Sequence, residues 1–354
     1  MPTLLDPLRV GALDLPNRVI MAPLTRTRAG EGRVPNALMR DYYAQRASAG
    51  LILTEATSVT PMGVGYPDTP GIWSAAQVAG WKEITKAVHA AGGRIALQLW
   101  HVGRISDPIY LDGALPVAPS AIAPRGHVSL VRPEKAYVTP RALEASEIPA
   151  IVEAYRQGAL NAKEAGFDAV EIHGANGYLL DQFLQDSTNK REDAYGGSVE
   201  NRARLMLEVT DAVISVWGAD RVGMHLAPRG DAHSMGDSDA PALFGHVAKE
   251  LNARGVAFIC AREYLDGTSL APKIRENFKG VFIANEKHTP ESAETLVEQG
   301  GADAVAFGKL FIANPDLPVR IAARAPLNAW NAATFYAKGA EGYTDYPALE
   351  TEPA

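Results

Sequence analysis

The chain has a single cysteine, Cys260, in 354 residues. One thiol closes no intrachain disulfide and cannot build the multi-cysteine clusters of structural zinc or iron–sulfur centres. Cys260 ends the apolar run 256–260, where a free thiol is expected to be buried and inert. Long hydrophobic runs are also missing. Nowhere do about 18 apolar residues follow one another, so no membrane-spanning segment is expected. The first residues lack the basic start and apolar stretch of a signal peptide, which makes a cytoplasmic location the expectation. Nor is there an excess of basic charge. Lys and Arg total 34 against 41 Asp and Glu, for a net charge of −7. Without a basic patch, nucleic acid is not an expected partner. No G-x-G-x-x-G follows an apolar run, and H-E-x-x-H and G-x-S-x-G are absent. Rossmann-type dinucleotide binding, zinc hydrolysis and serine-nucleophile chemistry are therefore disfavoured, and no metal ligand set is expected.

What the chain does have is a recurring pattern. A helical stretch ends on a small residue or Gly, and a short apolar run follows. The runs fall at 18–21, 49–57, 91–101, 165–174, 221–226, 254–263, 281–284 and 300–309. They are rich in Val, Ile and Leu and do not alternate cleanly, as suits parallel strands covered on both faces. Helical stretches are read at 36–48, 76–90, 147–164, 199–216, 240–253, 268–277, 290–299 and 315–324, with Thr289 as an N-cap before Pro290. Eight strand–helix repeats predict one α/β domain over residues 1–354, a single (β/α)8 TIM barrel. Such a barrel needs about 250 residues. The surplus is placed in a proline-rich excursion over 105–141 between the third and fourth strands, in the polar stretch 186–198, and in a tail over 325–354. The excursion carries Pro108, Pro116, Pro119, Pro124, Pro133 and Pro140 and is read as a lid-like loop or hairpin over the barrel mouth.

Catalytic groups of such barrels stand at the C-terminal ends of the strands. These ends offer Pro23, Thr25 and Arg26; Glu55 and Ala56; Gln98, Trp100 and His101; His173, Asn176 and Tyr178; His225 and Arg229; Arg262 and Glu263; Asn285; and Gly308 with Lys309. They form no carboxylate pair of the glycosidase kind. The inventory suits a polar heteroaromatic ring and a carbonyl. Gly308 allows close backbone approach to an anion and Lys309 supplies a charge, as a phosphate site requires. The sharpest motif is His-Gly-Ala-Asn-Gly-Tyr over 173–178. His173 and Asn176 can donate to one oxygen and stabilise negative charge there, while Tyr178 can act as a general acid.

These residues carry a resemblance that runs through nearly the whole chain. Its segments include Met21-Ala22-Pro23-Leu24-Thr25-Arg26, Gln98-Leu99-Trp100-His101, His173 through Leu184, Tyr195-Gly196-Gly197-Ser198, Phe311 through Leu317 and Gly342-Tyr343-Thr344-Asp345-Tyr346-Pro347. The chain resembles the old yellow enzyme family of FMN-dependent ene-reductases. The resemblance implies bound FMN, NADH or NADPH as hydride donor, and an activated alkene as substrate; some members of that family also reduce nitrate esters or nitroaromatics. It implies that Pro23, Thr25, Ala56, Gln98 and His225 line the flavin ring, and that Asn285, Lys287, Gly308 and Lys309 serve its phosphate. His173 and Asn176 would hold the substrate oxygen, Tyr178 would give the proton, and Trp100 and Tyr336 would shape the pocket. The chain departs from the family in three places. His225 and Lys309 stand where Arg is common, and Asn285-Glu286-Lys287 replaces a glycine-containing loop. Arg229 is the nearest alternative cation to His225, and Glu286 is expected to repel a phosphate unless it points away. Two other readings stay open: a different FMN barrel oxidoreductase, and a ligand-binding barrel without catalysis.

Overall fold

The computed structural model describes residues 1–349; the last five positions of the expected tail lie outside the described residues. In chain order the strands are β1 (Leu8–Val10), β2 (Leu13–Leu15), β3 (Val19–Met21), β4 (Leu51–Leu53), β5 (Thr57–Ser58), β6 (Ile95–Trp100), β7 (Val117–Ala118), β8 (Arg141–Ala142), β9 (Ala169–Gly174), β10 (Val222–Leu226), β11 (Phe258–Arg262), β12 (Val281–Asn285) and β13 (Ala304–Phe307). The α-helices are α1 (Ala37–Ala44), α2 (Ala75–Ala90), α3 (Ile148–Glu164), α4 (Leu179–Leu184), α5 (Val199–Trp217), α6 (Ala240–Ala253), α7 (Ala271–Asn277), α8 (Pro290–Glu298), α9 (Lys309–Ala313) and α10 (Leu317–Ala323). None of these helices is long and apolar enough to cross a membrane.

Strands β3, β4, β6, β9, β10, β11, β12 and β13 pair in that order, all parallel, and β13 pairs back with β3. This closed ring is the expected (β/α)8 barrel; seven of its strands lie within the expected runs, and β12 extends its run by one residue, Asn285. Burial explains the non-alternating sequence: every residue of β3, β4, β6, β9, β10 and β13 is buried, since one face meets the helices and the other the barrel interior. Local signals set the helix starts. Ser74 and Gln77 form a capping box at α2, and the Thr289 side chain accepts from Ser292 N–H just before Pro290 at α8. At α1 the cap is Asn36, whose side chain accepts from Met39 N–H.

The structure adds elements that the periodicity did not show. The β1–β2 hairpin is antiparallel and places Val10, Leu13 and Leu15 against Ile20, Ala257 and Phe258, which plugs the N-terminal end of the barrel. Helices α4 and α9 have six and five residues, too short to display a 3.6-residue period. The excursion over 105–141 is mostly irregular. It contains one turn of 3-10 helix at Pro108–Tyr110, a two-residue parallel pairing of β7 with β8, and a single antiparallel bridge between His127 and Ala136, not a regular hairpin. The Arg104 guanidinium fastens it by donating to the Ile122 carbonyl (2.8 Å), and also donates to the His233 carbonyl (2.8 Å).

The tail is docked against the first βα loop. Arg26 donates to the carbonyls of Phe335 (3.0 Å) and Gly342 (2.7 Å), and Arg28 to those of Thr334, Gly339 and Glu341. Tyr343 is fully buried and stacks on Tyr42 with ring centroids 4.0 Å apart. Excursion and described tail both pack on the barrel.

Candidate active site

The ends of β6, β9 and β10 form the floor and wall of the barrel mouth. Alternation along β9 turns Glu171 and His173 to the same, inward face. Register then sets their neighbours: Gln98 stands beside Glu171, and His225 beside both His173 and Cys260. The Gln98 amide donates to Glu171 Oε2 (2.7 Å), and His225 Nδ1 lies 3.2 Å from Glu171 Oε1. Cys260 is a buried free thiol, as expected, and burial raises its pKa well above the ordinary thiol value. With Glu171 and His225 it makes the one group among the described residues whose donor atoms lie close enough, within 4.8 Å, to suggest metal ligation.

After β9 the chain turns sharply. Asn176 has φ of 59° and Gly177 of 78°; a Cβ on Gly177 would come within 2.9 Å of His233 Cβ. This turn brings Tyr178 back over the mouth, at the start of α4. The ring centroids of His173 and Tyr178 are 5.0 Å apart, edge to face, and Trp100 stands 5.0 Å from Tyr178. His173 Nδ1 accepts from Ala175 N–H (3.3 Å), which assigns the proton to Nε2 and makes that atom a donor. Burial, with smaller contributions from His225 and Arg262, pushes the His173 pKa far below its ordinary value, so the ring is neutral. Asn176 Oδ1 accepts from Arg262 Nη1 (2.9 Å), which leaves its NH2 as the free end.

Tyr178 has a phenolic partner. Its oxygen lies 2.8 Å from that of Tyr66, whose ring stacks on Trp100 at 5.5 Å. Burial raises the Tyr178 pKa above the ordinary phenol value, and the bond from Tyr66 pulls it partly back. Trp100 is fully buried, and its indole N–H has no hydrogen-bond partner among the described residues.

The remaining expected residues divide. Pro23, Thr25 and Ala56 follow β3 and β4 at the same mouth, and Gly308 and Lys309 follow β13. Tyr336 is half exposed and is held near the mouth by the Thr27 hydroxyl, which donates to its carbonyl (3.2 Å). The Asn285 side chain is turned to the neighbouring strand, its amide donating to the Ala306 carbonyl (2.8 Å). Lys287 points to the other side of its loop, with Nζ 5.1 Å from the Tyr264 ring centroid. Glu286 and Lys287 both have positive φ, 114° and 60°, the backbone that glycine adopts most readily. Glu286 does not stand as an unpaired anion: its carboxylate is 3.4 Å from Arg262 Nε. Arg229 does not stand in for His225. It is engaged by Glu263 (2.6 Å), Asp266 (3.0 Å), Thr268 and the Tyr264 carbonyl. A cavity of about 260 Å³ opens beside Asn176, walled by the loops after β10, β11 and β12. A second, of about 390 Å³, lies at the plugged end of the barrel, away from these groups.

Sequence reasoning did not single out Glu171, Tyr66 or a role for Arg262. Glu171 was legible, since it lies two residues before His173 on one strand. Tyr66 lies in irregular chain after β5, where no periodicity marks it.

A closed barrel whose mouth gathers a neutral imidazole donor, an amide donor and a partly buried phenol defines the class: a (β/α)8 barrel with its candidate site at the C-terminal ends of the strands. Comparison with known proteins makes the class particular. The profile of the NADH:flavin oxidoreductase / NADH oxidase family matches residues 3–328. The 12-oxophytodienoate reductase 1 of Oryza sativa subsp. japonica is 44% identical, over 98% of this chain and 93% of its own. The old yellow enzyme homologue of Zymomonas mobilis superposes with a TM-score of 0.95 at 47% identity, over 98% of this chain and all of that one. Morphinone reductase in complex with tetrahydroNAD gives a TM-score of 0.95 at 50% identity, over 99% and 98%. The chain belongs to this family, the old yellow enzymes, whose cofactors are FMN and a nicotinamide.

The residues present fit FMN. Among the described residues the Thr25 hydroxyl, Gln98 Oε1 and His225 Nε2 make no hydrogen bond within the protein, and Lys309 has no carboxylate partner. These are groups of the kind that a flavin's polar edge and phosphate require.

Proposed function

We propose that this protein is an FMN-dependent ene-reductase that uses NADH or NADPH to reduce carbon–carbon double bonds activated by a carbonyl or nitro group. Thr25, Gln98 and His225, with Pro23 and Ala56 as apolar walls, would hold the ring, and Gly308 and Lys309 the phosphate. When bound, the flavin supplies hydride, first received from the nicotinamide, to the β-carbon of the alkene.

The protein's part is electrostatic and acid–base. His173 Nε2–H and the Asn176 amide donate to the substrate oxygen, where negative charge grows as hydride adds to the β-carbon. A neutral imidazole is suited to this, since its N–H is a far weaker acid than imidazolium and donates the hydrogen bond without giving up the proton. Tyr178 then gives its proton to the α-carbon. Its raised pKa keeps the phenol protonated across the working pH range, and Tyr66 offers a hydrogen-bonded route to replace the proton. Trp100 and the ring of Tyr66 wall the pocket, and Tyr336 lies at its rim.

The observation that carries this reading is the convergence of His173, Asn176 and Tyr178 at one end of a closed barrel. The test is to load the purified protein with FMN and assay 2-cyclohexenone reduction with NADH and with NADPH. A yellow protein that consumes nicotinamide only when the enone is present is the expected result. A protein that stays colourless after incubation with FMN would refute it.

A further inference from the structure

The mouth holds a cation that the reaction as described does not use. Arg262 is the last residue of β11, and its register partner is Asn285, one residue before Glu286. A side chain at the end of a strand in such a barrel faces the site. Its Nη1 donates to Asn176 Oδ1 at 2.9 Å and its Nε lies 3.4 Å from Glu286. Its Nη2 has no hydrogen-bond partner among the described residues, and the side chain is 44% exposed. It opens on the cavity of about 260 Å³ that Asn176 also lines. Nearby, Glu263 and Asp266 are occupied by Arg229, so Glu286 is the carboxylate that competes for Arg262; Asp231 lies exposed at the rim.

Two consequences follow from this placement. The bond to Asn176 fixes which end of the amide faces the pocket: the oxygen is held by the guanidinium, and the NH2 is presented to substrate. The free Nη2 end of the guanidinium opens on the cavity that Asn176 also lines, with its charge within electrostatic reach of His173 and Tyr178. With Nη1 bonded to Asn176 and Nε beside Glu286, it is the Nη2 end that remains to donate a charge-assisted bond to a carboxylate. A substrate with one carbonyl oxygen satisfies His173 and Asn176 and leaves Nη2 unused. A substrate with a carboxylate on the adjacent carbon fills both.

The geometry points to Arg262 as a specificity-determining residue that selects alkenes whose activating ketone carries a neighbouring carboxylate, the 2-oxo-3-enoate class. This rests on the ene-reductase reading above. The chemistry is unchanged: hydride adds to the β-carbon, Tyr178 protonates the α-carbon, and the carboxylate is bound but not altered.

A matched pair of substrates tests it. Benzylidenepyruvate and benzylideneacetone share the enone and differ in a carboxylate against a methyl group. The FMN-loaded protein is expected to show the higher kcat/KM with the keto acid. Arg262→Met should lower the ratio of the two by about tenfold, mainly through KM for the keto acid, and Arg262→Lys should restore part of it. Glu286→Gln removes the competing carboxylate and should raise the ratio. Flavin absorbance and a thermal melt are recorded for every variant. Should Arg262→Met not fold, the Lys and Gln variants decide, because they predict opposite shifts. Calorimetric binding of benzylidenepyruvate to the oxidised protein separates the two readings. If neither ketone is turned over, the ene-reductase reading fails, while loss of keto-acid binding in Arg262→Met still supports the role of Arg262. A ratio and an affinity unchanged in Arg262→Met overturn it.

Discussion

Tyr178 and His173 show how burial sets chemistry one side chain at a time. Burial drives the Tyr178 phenol up and the His173 imidazole down, so the first keeps its proton and the second stays neutral. Tyr66 tempers the first effect through a 2.8 Å bond. Tyr66→Phe is therefore expected to leave reduction of the bound cofactor by the nicotinamide intact and to slow alkene turnover by up to about tenfold, as rapid mixing of the two half-reactions would show. Of these groups, His173, Asn176 and Tyr178 were legible in the sequence, because one short motif holds all three. Tyr66 was not, since its place depends on where an irregular loop lands. Glu286 also reads differently in three dimensions. In sequence it is an anion at a phosphate loop; in the fold the register of β11 against β12 gives it Arg262 as a partner.

The elements divide by how they are stabilised. The eight barrel strands were legible because burial on both faces demands unbroken apolar runs. Helices α4 and α9 and the β1–β2 hairpin were not, because they are held by neighbours and have little pattern of their own. The tail is an extreme case. It has little regular structure, yet three buried arginines, Arg26, Arg28 and Arg46, hold its carbonyls, and Tyr343 fills a slot against Tyr42. Removing that ring leaves a cavity and orphans part of the arginine cluster. Tyr343→Ala should cost about 3 kcal/mol in a denaturant melt. A loss well below 1 kcal/mol would mean that the tail is not part of the cooperative unit.

On the scale of the whole molecule, the chain is read as one domain whose surplus residues pack on the barrel, its lower end plugged by a hairpin and its upper end bearing the chemistry. Two buried carboxyls tie its stability to pH. Burial raises Glu55 from 4.5 to about 7 and Asp181 from 3.8 to about 7. A carboxyl raised in the folded state favours the protonated form. Its stabilising contribution is full below the unfolded-state pKa, near 4, and is lost as pH rises through about 7. Glu55→Gln removes this dependence, so the melting temperature of the variant relative to the parent should rise between pH 5 and pH 8. A constant difference across that range would show that Glu55 does not titrate there.

On the proposed reading, His173 and Asn176 hold the substrate oxygen while Tyr178 supplies the proton, in a site that shares one flavin between two half-reactions. The decisive measurement uses the Tyr178→Phe variant loaded with FMN, mixed rapidly and anaerobically first with the nicotinamide that reduces the parent, NADH or NADPH, and then with 2-cyclohexenone. The first rate is expected to stay unchanged and the second to fall by about a hundredfold. Equal slowing of both steps, or of neither, would contradict that reading.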